Sequence, residues 1–239
     1  MINKTLLKQT VRANLPLFLI MTLIQAGMIV LLTCVGQGVQ ASGVTYYQML
    51  PGILMGVYVI ITANKLIAAQ VDEGTMAYVL STPVTRNSVA ITQASFLFGS
   101  TLLMFAVTAG THILTASLAL ATFSIGDALT ILLLNLGLFA LAVAFGGICF
   151  LASGWFNQSK NAIAVGGGVV GGFLLLSLVK LFSTSLTWLG NLTIVSLYDI
   201  NSIMTRASAF IPKLIILAAI GLVTYAVGVV VFNKRDLPL

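Results

Sequence analysis

The chain has 239 residues, of which 59% are hydrophobic and only 7% charged, and it carries a formal net charge of +6. A soluble domain carries about 25% charged residues, so this composition argues against a water-soluble fold, whose surface would be left largely apolar. It also argues against nucleic acid as the partner of the positive charge. The basic residues gather at the ends of apolar runs, where they set topology and meet anionic membrane lipid.

The first residues, 3–12, read NKTLLKQTVR. On a helix Leu6, Leu7 and Val11 share one face and Lys4, Lys8 and Arg12 another, the pattern of a short amphipathic helix lying along a membrane surface. The apolar run that follows is longer than the core of a secretory signal, so it is read as a retained span. A transmembrane helix needs about 20 mostly apolar residues, and six runs satisfy this, at about 15–36, 48–70, 90–122, 127–154, 161–183 and 211–232. The third and fourth exceed the minimum, which predicts tilt or projection beyond the lipid. None shows the period-two alternation of a membrane strand. The expected fold is therefore all-α and integral to the membrane, a single transmembrane domain over residues 1–239.

With a cytoplasmic N-terminus, Lys4, Lys8, Arg12, Lys65, Arg86, Lys160, Lys234 and Arg235 lie inside, and Lys180, Arg206 and Lys213 outside. This bias puts both termini in the cytoplasm of a multi-pass cell-membrane protein; Lys65 and Lys180 reach their faces by snorkelling. Cys34 and Cys149 fall at opposite depths, too far apart for a disulfide, and read as small apolar fillers.

The connection between the second and third runs, AQVDEGTMAYVLSTPVTRNSVAITQ over residues 69–93, is the longest on the cytoplasmic side and is unusually rich in charge. Thr75 is expected to cap a short helix over 76–81, with Met76, Val79 and Leu80 on one face. Pro83 ends that helix, and Thr85 or Asn87 caps the next. The result is a short transverse helix hung below the bilayer on two spans, either resting on the lipid surface or docking a cytoplasmic partner.

The run Asp72-Glu73-Gly74-Thr75, followed by Leu80-Ser81-x-Pro83-x-x-Arg86, resembles the E-G-T…L-L-S-x-P-[VI]-[ST]-R signature of type-2 ABC exporter permeases. The ending Phe232-x-Lys234-Arg235-Asp236-Leu237 is similar to the one common in that family, and the six spans and leading amphipathic helix match it over the whole chain. Val79-Leu80 stands where relatives often carry two leucines. The resemblance implies that residues 72–86, within a coupling loop of 70–89, form a coupling helix seated in a groove of a cytoplasmic ABC ATPase subunit. Asp72, Glu73, Gly74, Thr75, Met76, Val79, Leu80, Ser81, Pro83 and Arg86 are then the contact residues. It also implies a second permease subunit, identical or homologous, and short re-entrant or outer helices before the last span. The expected activity is ATP-driven export of an amphipathic cargo such as a peptide antibiotic, a lipid or a drug. The dipeptide Gly-Lys does not occur, so no P-loop can be matched; ATP and Mg are expected on the partner ATPase, and this chain is expected to be non-catalytic, with no metal of its own.

In the fifth run, Gly167/Gly171 and Gly168/Gly172 are spaced small-xxx-small, which allows close helix packing, either within the bundle or between two permease subunits. Between the last two runs, Trp188, Tyr198 and Phe210 suit an interfacial position, and Asp199 could pair with Arg206. His112, the only histidine, is expected to be buried or pathway-facing and hydrogen-bonded to a neighbour, because one His and two distant Cys cannot build a zinc site. The other polar residues inside the runs are Gln25, Thr62, Asn64, Thr108 and Asn135, and no acid lies deep, which disfavours a proton- or sodium-driven carrier. The alternatives are an ATP-independent channel or carrier, and a membrane immunity or scaffold protein that binds a peptide without transport.

Overall fold

The computed structural model describes residues 2–35, 45–48, 50–120, 123–182 and 193–236. Among these there are helices and no strands. In chain order they are α1 (Lys4–Val35), α2 (Leu50–Leu66), α3 (Ala68–Asp72), α4 (Thr75–Leu80), α5 (Arg86–Ala119), α6 (Ile125–Trp155) and α7 (Ser159–Ala162). A π-helical turn, Ile163–Gly167, leads into α8 (Gly168–Phe182); after it come a 3-10 turn at Ile194–Leu197, α9 (Ile200–Met204) and α10 (Phe210–Lys234). Six helical segments are long and apolar enough to cross a membrane: Lys4–Val35, Thr45–Asp72, Arg86–Ala119, Ile125–Trp155, Ser159–Leu178 and Phe210–Lys234. They coincide with the six apolar runs of the sequence. This architecture is consistent with a multi-pass helical membrane protein.

The spans run alternately up and down, which brings six of their ends to one side. Contacts there join residues 3, 64, 72, 87 and 235 to residues far away in the chain. We term this the near face, and the side holding α9 the far face.

The core forms around α6, the most enclosed span. Its partner α10 approaches it along glycines. A Cβ on Gly147 would sit 2.7 Å from the Gly221 carbonyl oxygen, and one on Gly154 would sit 3.0 Å from that of Gly228. In return, a Cβ on Gly221 would meet the Val143 backbone at 2.7 Å, and one on Gly228 the Phe150 ring at 2.9 Å. In lipid, where apolar side chains gain little by leaving the solvent, such close backbone packing is what holds helices together.

α1 turns its sides the opposite way from a soluble helix. Thr10, Asn14, Thr22, Gln25 and Thr33 are buried, while Leu15, Leu19, Leu23 and Leu31 are exposed. Thr10 Oγ1 donates to Gln93 Oε1 of α5 at 3.1 Å, and Gln25 Nε2 contacts Met104 Sδ at 3.3 Å. The expected separate surface helix over residues 3–12 is not what these residues form. They continue into the first span as one helix of 32 residues, with Pro16 inside it, about 48 Å long at 1.5 Å per residue. The reason is that the inner side of the first turns is bonded to α5: the Asn3 N–H donates to Thr92 Oγ1 at 3.0 Å, and Leu6 is buried.

Candidate functional site

The near-face segment 72–86 is built from two short helices joined at a glycine. After α3, Gly74 adopts φ +72°, a left-handed conformation that favours glycine, and its N–H donates to the Val71 carbonyl. Gly74 is also the N-cap of α4, so the expected cap at Thr75 is corrected: Thr75 is the first helical residue, and its hydroxyl donates back to Gln70 O at 3.2 Å. A serine or threonine hydroxyl caps from an extended residue, and here that position is taken by the left-handed glycine. α4 ends before Pro83, and Thr85 caps α5, its Oγ1 accepting from Ser88 N at 3.3 Å, as the sequence predicts.

The apolar side of α4 points into the bundle. Met76 is fully buried, and Val79 and Leu80 are partly buried against the core. Met76 is therefore an anchor for α4 and offers nothing to a partner in this arrangement, which corrects its expected role as a contact. The residues facing outward are Asp72, Glu73, Gly74, Thr75, Ser81 and Pro83, with Arg86 half-buried. Tyr78, absent from the expected set, is 79% exposed and is the largest side chain that α4 presents. It could have been found by noting that the face opposite Met76, Val79 and Leu80 carries one aromatic residue.

Both ends of this segment are bonded to other spans. Asp72 Oδ2 accepts from the Ser159 N–H at 3.1 Å, supplying an acidic cap to the N-terminus of α7 from another part of the chain. Asn64 Nδ2 donates to Ser159 Oγ at 2.7 Å. Where α2 breaks at Ile67, the freed Ala68 N–H donates to Ser153 Oγ of α6 at 2.9 Å. At the other end Arg86 Nη1 donates to the Arg235 carbonyl at 3.1 Å, and Arg235 Nη1 in turn donates to the Gly154 carbonyl at 2.8 Å. Displacing 72–86 must therefore pull on the start of the fifth span and the end of the sixth.

Of the glycine run in the fifth span, Gly167 lies against Ile60 (3.3 Å from an added Cβ), whereas nothing stands within 4 Å of a Cβ at Gly168, Gly171 or Gly172. Among the described residues nothing packs against that stripe. Cys34 and Cys149 are free thiols, exposed and buried respectively. No group of three or more His, Cys, Asp or Glu able to hold a metal occurs among the described residues.

Towards the far face, His112 is buried and bonded as expected: its Nδ1 lies 2.9 Å from Tyr47 Oη. Asn135 Nδ2 donates to the same Tyr47 oxygen at 2.6 Å and to Ile131 O at 2.9 Å, and Thr108 Oγ1 donates to Asn135 Oδ1 at 3.1 Å. Tyr47 also lines a cavity of about 420 Å³. The floor of this cavity is Leu138 and Leu141, each 2% exposed, and its rim includes the exposed Gln48 and Asn201.

The rim carries an ion pair, Lys213 Nζ to Asp199 Oδ2 at 2.6 Å. This replaces the expected Asp199–Arg206 pair. Arg206 follows α9 in the left-handed region (φ 55°), and its guanidinium reaches away to the Gly126 carbonyl and Thr130. Asp199 also caps α9, accepting from Ser202 N at 3.1 Å and Ser202 Oγ at 2.7 Å. Partial burial works to raise its carboxyl, but the hydrogen bonds from Lys213 and Ser202 outweigh that and bring it down to about 2. Tyr198 is not interfacial: it is buried, its hydroxyl donates to Leu134 O at 3.2 Å, and its ring fills the space left by Gly137. The α9 segment thus folds inward against α6, while Trp188 lies outside the described residues. The chain matches no protein-family model and no curated protein.

Proposed function

We propose that this chain is the membrane-spanning permease subunit of an ATP-driven exporter in the cell membrane, moved by a separate cytoplasmic ATPase subunit that binds ATP and Mg. The observation that supports this reading is the mechanical position of residues 72–86. They form a short step with an exposed tyrosine, and hydrogen bonds tie their two ends to the fifth and sixth spans. A protein that grips Tyr78 and its polar neighbours from the cytoplasm would move those two spans together, a rigid-body change between two packings of the bundle. In this reading the near face, with both termini, is cytoplasmic. The bare Gly168, Gly171 and Gly172 stripe offers a close-packing surface to a second permease subunit. The cargo is amphipathic, as suits a far-face cavity with an apolar floor and a polar rim.

The test is co-purification of this chain with a P-loop ABC ATPase co-expressed with it, together with transport in reconstituted vesicles. Tyr78→Asp and Ser81→Arg change only exposed positions and are expected to abolish ATPase recovery and ATP-dependent transport, with thermal unfolding of the isolated chain unchanged. Full recovery and transport in both variants would remove residues 72–86 as the coupling element.

A further inference from the structure

We infer that the far-face cavity is a binding site for an amphiphile with one apolar chain and an anionic head of phosphate or carboxylate type. This deepens the exporter reading by giving its cargo a chemical class, but the binding itself requires no ATPase.

The shape comes first. At about 420 Å³ the cavity is within the range of small-molecule sites. Five aliphatic side chains contribute to its inner wall, Leu138 and Leu141 from α6, Ile53 from α2, and Leu174 and Leu178 from α8, beside the hydroxyl groups of Tyr47, Ser177 and Ser196. Gly52 keeps it wide, since a Cβ there would meet only Leu174, at 4.0 Å.

The sign of the head follows from the rim. Asp199 is already engaged by three donors: Lys213 Nζ, Ser202 N and Ser202 Oγ. Lys213 Nζ carries three N–H groups, of which one is used by Asp199. Lys213 also stands in the first turn of α10, where the helix dipole favours negative charge. Lys213 thus keeps unused donors at the mouth, and an entering anion would compete with Asp199 for them. A cationic head would meet the Lys213 ammonium beside an Asp199 whose charge that ammonium already offsets.

Competition between a ligand anion and Asp199 gives the proposal a distinctive sign. The probe is dodecyl phosphate, added to the purified full chain in neutral maltoside detergent, with occupancy read by mass spectrometry of the intact complex. Dodecyltrimethylammonium and inorganic phosphate serve as comparison ligands. The expected result is a one-to-one adduct with dodecyl phosphate and at least tenfold lower occupancy with either comparison ligand. Asp199→Asn, which keeps the α9 cap, is expected to tighten binding several-fold, and Lys213→Gln to weaken it several-fold. Gly52→Phe fills the cavity from α2 and Ser177→Leu from α8; each is expected to cut occupancy at least tenfold with unfolding temperature retained. Equal occupancy by the cationic amphiphile, weaker binding in Asp199→Asn, or full occupancy in both filled variants would overturn the site. Inorganic phosphate displacing the probe at equal concentration would overturn the role of the chain. Failure of these tests leaves the ATPase co-purification result standing, so the two readings fail separately.

Discussion

Two sets of glycines in this molecule do opposite things. The conspicuous one, Gly166 to Gly172 in the fifth span, leaves three of its members, Gly168, Gly171 and Gly172, with no neighbour among the described residues within 4 Å of an added Cβ. The inconspicuous one is spread over two helices at intervals of seven, Gly147 and Gly154 on α6 and Gly221 and Gly228 on α10, and each of its members meets backbone or a ring within about a van der Waals contact. Local density of glycine therefore does not show where helices touch. A repeat matched on two separate helices does, since both must lack a side chain at the same heights.

The comparison breaks most sharply at the seam. Gly147→Leu must drive side-chain atoms into the Gly221 carbonyl and Thr224, and overpacking of a backbone contact is expected to cost about 3 kcal/mol or more. Loss of a monodisperse folded chain on gel filtration checks it. Gly154→Ala is gentler, because its Cβ would lie 3.0 Å from the Gly228 oxygen; about 1–2 kcal/mol, seen as a lower unfolding temperature, is expected. Gly74 represents a third use, conformation without contact: nothing lies within 4 Å of its Cβ, yet φ is +72°. Gly74→Ala should cost about 1–2 kcal/mol through the left-handed strain alone, and Gly74→Asn should recover part of it.

Gly171→Ala should move the other way. With no neighbour to strike and a helix to strengthen, it is expected to raise the unfolding temperature of the isolated chain by up to about 1 kcal/mol of stability, while weakening any pairing of permease subunits measured by cross-linking. The smallest effect comes from acid. The Asp199 carboxyl is held below its ordinary 3.8, at about 2, so its contribution is present above pH 4 and is lost as pH falls through about 2. Unfolding temperature should decline over that window, and Asp199→Asn should remove this part of the decline. The glycine seam carries no titrating group and should not respond.

What was legible in the sequence follows the same division. The six spans could be read because bilayer thickness imposes a length and an apolarity that any window reveals. Thr85 and Pro83 could be read because caps and helix stops act between near neighbours. The bond from Asp72 to Ser159 and the choice of Lys213 over Arg206 by Asp199 join segments whose meeting depends on how whole helices pack. Arg206 is lost to Asp199 because the turn after α9 sends it toward Gly126. The inward roll of α4, which hides Met76 and leaves Tyr78 outside, is decided by the bundle above it, since an apolar face at helical spacing says only that something covers it.

The contact between Tyr47 and His112 has a direction. The Ile131 carbonyl can only accept, so the Asn135 nitrogen must face it, and its second hydrogen then goes to the Tyr47 oxygen. The lone phenolic hydrogen is then expected to point to Nδ1 of the imidazole and the ring's own hydrogen to sit on Nε2, an atom with no bonding partner among the described residues. Three side chains thus form a one-way circuit in which turning any member round obliges the rest to turn. Nitrogen NMR of the ring would show a single tautomer, and Tyr47→Phe would release it to exchange between two.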